Sequence, residues 1–216
     1  MADERQGALG LWAALPILWV AIALPLHRET FQKHSILYRF GICPHVLDDA
    51  TGLGSYGLLH LTNLVSALFV HASLYQAGLN AAAFAVCARG AERRTGAWFC
   101  LLLVGAGIAG NLAHWRLNTG LDRVAVGATA LVAFCTGWAT FALRSIPEAA
   151  VGVVWLLTQM ASPLPATIPS DEYTASYAYR LCGGTDWRAT VAAFFLGAIA
   201  MLLLTRAPEG ADSEAR

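Results

Sequence analysis

Six apolar stretches, at about 8–26, 61–88, 97–115, 124–143, 149–165 and 189–204, constrain this chain more than any single residue does. A helix that crosses a bilayer needs roughly 20 mostly apolar residues. Within lipid, every backbone amide and carbonyl must be satisfied inside the segment or its neighbours, which leaves helices as the spanning form for stretches of this length. Six of them in 216 residues leave space for one helical domain and short connections. Composition agrees, with 57% hydrophobic and 13% charged residues and a mean hydropathy of +0.54, too apolar for an ordinary soluble domain. The expected fold is all-α: a polytopic membrane protein with a six-helix transmembrane domain over 1–206 and a short polar tail over 207–216.

The first stretch reads as a span and not as a cleaved signal peptide. Its leader, Met1 to Gln6, is not clearly basic, and no small-x-small site follows before Pro25. Counting cations in the connections does not orient the bundle, because seven arginines on one side oppose five arginines and a lysine plus Arg188 on the other. The dense Arg89, Arg93, Arg94 group in one short turn is hardest to translocate, which places both termini in the cytoplasm. A formal net charge of zero with no basic run argues against a nucleic-acid partner.

One segment carries a more specific signal. His71, Gln76 and Asn80 are followed by an apolar run and then by Gly90, Glu92, Arg94 and Gly96. This resembles the second transmembrane helix and following cytoplasmic turn of the rhomboids, a family of intramembrane serine proteases. The family has His at the places of His71 and Gln76, then Asn, then a Gly- and Glu-containing turn. The resemblance implies a six-transmembrane-helix rhomboid-like bundle with structural roles for Glu92, Arg94 and Gly96. It extends from about Phe69 to Leu204. The family's Trp-Arg pair in the first loop has no counterpart, since Thr62 and Asn63 stand at that distance before His71.

The resemblance also locates the catalytic pair, and there this chain departs from the family. Val126-Gly127-Ala128-Thr129 resembles the family's Gly-x-Ser turn with Thr129 in place of the serine. Ala189-Thr190, followed by Ala193 and Gly197, resembles the family's Ala-His-x-x-Gly-x-x-x-Gly with Thr190 in place of the histidine. A threonine hydroxyl is a weak nucleophile without a base, and Thr190 cannot act as one because its own hydroxyl hardly titrates. With Gln76 replacing a further histidine, the expected site is degenerate: His71, Gln76, Asn80, Gly127, Thr129 and Thr190, with no catalytic pair intact. Gln76 and Asn80 keep amide donors, either for a bound polar group or for interhelical hydrogen bonds. His114, beside Trp115, is read as an interfacial ring, and its rescue of Thr129 as a base requires a positioning that the spacing does not demand.

Two long connections, about 27–60 and 162–188, fall on one side in this topology. Each holds a cysteine, Cys43 and Cys182, and a disulfide between them is an open possibility in an oxidising compartment. Cys87, Cys100 and Cys135 read as apolar fillers. His27, His34, His45 and His60 follow no compact ligand pattern, so no metal and no cofactor is expected.

These readings converge on a rhomboid-like pseudoprotease of the bacterial inner membrane. It is expected to bind transmembrane segments of other membrane proteins, as a scaffold or as a subunit of a larger membrane complex, with lipid around it. Small residues at Gly105, Gly107, Gly110, Ala193 and Gly197 permit such close helix contacts. The competing class is an enzyme, a rhomboid- or rhombosortase-like protease using Thr129 with an unidentified base. A transporter or pigment-binding subunit is a third class, for which no internal repeat speaks.

Overall fold

A computed structural model describes residues 10–28, 36–37, 39–50, 60–119, 124–142, 146–160 and 187–205. Eight helices are named here: α1 (Leu11–Arg28), α2 (Pro44–Ala50), α3 (Asn63–Ser66), α4 (Leu74–Thr95), α5 (Trp98–Leu117), α6 (Thr129–Ala142), α7 (Ile146–Met160) and α8 (Trp187–Thr205). The fold is all-helical, and the six helices of 14 residues or more, α1 and α4 to α8, fall where the six apolar stretches lie. Among the described residues α5 alone combines 20 residues with a sustained apolar composition; α1, α6, α7 and α8 are apolar over shorter lengths.

The second and fourth stretches are not helical throughout, and the differences set up the site. The second, expected as one helix from 61, breaks between Ser66 and Leu74. Ala67 directs its carbonyl to Gly127 N at 2.8 Å, and Ser73 is extended at φ −152° and caps α4 by accepting from Gln76 N at 3.0 Å. In the fourth, helix begins only at Thr129. Ala125 instead exchanges both backbone hydrogen bonds with Ile42, each at 2.8 Å, in an isolated antiparallel bridge. Gly127 then turns the chain at φ +105°, a conformation that a side chain disfavours.

α6 is the central helix, buried at every position from Thr129 to Ala139. It packs on α8, α4, α7 and α5. Its contact with α8 is backbone on backbone: a Cβ at Gly137 would collide with the carbonyl of Phe194, and one at Gly197 with the carbonyl of Phe134. Two glycines thus face each other's helix, the close approach that small residues allow without hydrophobic drive between apolar surfaces. Gly110 of α5 likewise abuts Ala130 of α6. The core joins Trp19, Phe84, Phe99, Val132, Trp138 and Trp155, while Leu101, Leu157, Ile199 and Leu203 stay exposed on the outside of the bundle. An apolar exterior around an interior holding Asn80, Glu92 and Gln76 is the polarity a bilayer demands.

Candidate functional site

Gln76 is the hinge of the site. Ser73-Leu74-Tyr75-Gln76 has the S-x-x-Q spacing of a capping box, in which the fourth residue reaches back to an amide ahead of the helix. Gln76 does so one residue further back, where its Oε1 accepts from Ala72 N at 2.8 Å. Its Nε2 donates to the carbonyl of Val126 at 3.0 Å, so one side chain ties the α4 entrance to the chain entering α6. A Cβ at Gly127 would stand 2.5 Å from that Nε2, so glycine is needed there for space as well as for its φ. The capping spacing was the sequence signal for this role.

His71 completes the junction, buried and with Nε2 accepting from Ala128 N at 3.4 Å, while its ring tilts against Trp19 of α1 at 5.6 Å. Thr129 opens α6 and Thr190 lies in the first turn of α8, both fully buried. Thr190, Gly127, Val126, Asn111 and His114 line one small cavity at this end of the bundle. The structure therefore gathers His71, Gln76, Gly127 and Thr129 around one turn and sets Thr190 on the wall of the adjoining cavity.

His114 is buried, unlike the interfacial ring expected from sequence, because α5 turns it toward α6 and α8 and away from the outside. Asn118 Nδ2 donates to the His114 carbonyl at 2.8 Å and stands 3.3 Å from its Nδ1. An amide nitrogen that already donates to a carbonyl makes Nδ1 the acceptor, which assigns the proton of the neutral ring to Nε2.

Asn80, one turn below Gln76, is fully buried and accepts from Trp155 Nε1 of α7 at 3.2 Å. Among the described residues its Nδ2 has no partner, and neither polar atom of the buried Gln159, one turn above Trp155 on α7, has one. Sequence reasoning missed Trp155 and Gln159; a glutamine within an apolar helix was the available signal for the second.

At the other end, Glu92 is buried and its two carboxylate oxygens accept from Leu11 N and Trp12 N at 3.2 and 3.1 Å. It caps α1 from 80 residues away, a carboxylate at the positive end of a helix. Gly96 closes α4 at φ +56° with its N–H on the Glu92 carbonyl at 2.8 Å, and Arg94 is exposed. Cys43 is buried beside the Ile42–Ala125 bridge; Cys182 and the tail lie outside the described residues, as does the pairing of the two cysteines.

The family model described as Rhomboid domain matches residues 59–207. The chain belongs to the rhomboid family and is an integral membrane protein. No curated protein and no solved structure matches it.

Proposed function

We propose that this rhomboid-family chain spans the bacterial inner membrane six times with both termini in the cytoplasm, does not cleave peptide bonds, and acts by holding transmembrane segments of partner proteins, as a scaffold or as a subunit of a membrane complex. The observation that carries this reading is Gln76. Where the family has a histidine, this chain has an amide committed at both ends, to Ala72 N and to the Val126 carbonyl. Its acceptor caps a helix and its donor serves a backbone carbonyl, so the corner supports the fold of the chain itself. Thr129 and Thr190 supply hydroxyls and no base, and His114 Nδ1 lies 3.3 Å from the Asn118 amide. The buried Asn80–Trp155 hydrogen bond between α4 and α7 fits a protein whose polar interior serves helix contacts in preference to chemistry.

The test compares the wild type with Thr129→Ala in proteoliposomes carrying a fluorogenic transmembrane substrate, alongside co-purification of membrane partners in mild detergent. The expected result is no turnover in either and an unchanged set of stoichiometric partners. Turnover by the wild type that disappears in Thr129→Ala sinks the reading in favour of a threonine protease.

A further inference from the structure

The turn from α4 to α5 concentrates charge that the described residues leave largely uncompensated. Arg89, Arg93 and Arg94 are exposed on the last turns of α4. Arg89 lies over the ring of Trp12 at 5.2 Å, and neither Arg93 nor Arg94 has an ion-pair partner among the described residues. The acid between them in sequence is not available, because both oxygens of Glu92 are turned inward onto Leu11 N and Trp12 N. Glu148 lies near Gly90 and offsets one charge at most. The C-terminus of α4 contributes about half a negative charge, which favours cations there but does not balance three.

The same turn bears markers of the membrane surface. Trp98, 69% exposed, opens α5 four residues after Arg94, and the half-buried Trp12 at the start of α1 lies under Arg89. An exposed indole at a helix end marks headgroup level, and apolar Leu101, 63% exposed, follows one turn on. Exposed cations beside an exposed indole, with the local carboxylate occupied elsewhere, suit an anionic oxygen group.

We propose that the α4–α5 turn is a binding site for the phosphate of an anionic phospholipid, with Arg93 and Arg94 as the contacting residues and Trp98 packing along the glycerol region. The shared chemistry is a phosphate monoanion, and the lipid is its source because the apolar surface continues directly from the charged turn.

Full-length protein in dodecyl maltoside, given dioleoyl phosphatidylglycerol, dioleoyl phosphatidylcholine or inorganic phosphate, is followed by thermal unfolding and by native mass spectrometry of retained lipid. Phosphatidylglycerol is expected to raise Tm and stay bound, while phosphatidylcholine and phosphate do neither. In R93Q/R94Q, phosphatidylglycerol binds on the order of tenfold or more weakly with the lipid-free Tm unchanged, and R93K/R94K keeps most of the affinity. If R93Q/R94Q does not fold, R94Q alone, expected to weaken binding roughly fivefold, decides. Phosphatidylglycerol affinity unchanged in the glutamine variants overturns the site, and an equal response to inorganic phosphate overturns the lipid as its ligand.

Discussion

The two ends of the bundle spend buried polar groups differently. At the Glu92 end a charged side chain is fully buried, and each of its oxygens meets a backbone amide of α1. At the Gln76 end the central buried group is a neutral amide that again serves backbone, and among the described residues Asn80 Nδ2 and both polar atoms of Gln159 go without partners. A buried charge cannot be left half satisfied, whereas a neutral amide can at a cost of about 1–3 kcal/mol. Glu92 stands where the family's glutamate stands and holds a structural joint, while the residues that differ from the family are those whose chemistry the joint does not require. The contrast separates a buried carboxylate that joins two helices from a buried amide that joins two turns.

The largest expected effect tests the charged end. Glu92→Ala removes both acceptors from the start of α1, and a loss of roughly 3 kcal/mol or more is expected in reversible detergent unfolding. Glu92→Gln replaces one acceptor with a donor facing an N–H and is expected to lose about 2 kcal/mol. A Glu92→Ala protein as stable as wild type removes the cap from the account. Next comes the helix contact that both ends depend on. Gly197→Ala drives a Cβ into the Phe134 carbonyl, and separating α6 from α8 is expected to cost about 1–3 kcal/mol, read from the same unfolding curves.

Much of the frame was legible because apolar length and glycine spacing are local properties of a sequence. The six stretches appear as α1 and α4 to α8, and Gly197 lies in the contact its spacing implied. The breaks were not legible. Ile42 pairs with Ala125 and Ala67 with Gly127 across long sequence separations, and nothing within 61–73 or 124–128 announces a partner so far away. At the junction of α4 and α6 the proximity of four residues was legible and their bonding was not. His71, Gln76, Gly127 and Thr129 do meet, yet the capping role of Gln76 emerges only once Ser73 is seen to begin a helix. His114 was misplaced for a similar reason, since the face of α5 that turns inward depends on Gly107 and Gly110 meeting Leu68, Leu131 and Ala130.

The neutral end gives smaller effects. Gln76→Ala strands Ala72 N and the Val126 carbonyl, with an expected loss of about 1–3 kcal/mol. Gln76→Glu retains the cap but sets an acceptor against the Val126 carbonyl, so it is expected to fall below wild type even though its shape is kept. A Gln76→Ala protein that unfolds like wild type would return the residue to a ligand-binding role.

The smallest effect is the most informative about the unpartnered amides. Trp155→Phe removes the donor to Asn80 Oδ1, and hydrogen bonds between membrane helices average about 0.6 kcal/mol, so a loss of roughly 0.5–1.5 kcal/mol is expected. Asn80→Leu alone strands the indole N–H in the core and is expected to cost a similar amount. The double variant removes donor and acceptor together, along with the Nδ2 that has no partner in the wild type. It is therefore expected to recover most of the loss of either single change, a coupling that a double-mutant cycle reads directly. Additive losses would mean that Asn80 and Trp155 stabilise the bundle through packing alone. In that case the contrast between a charged end bound by hydrogen bonds and a neutral end that tolerates gaps would rest on Gln76 without help from α7.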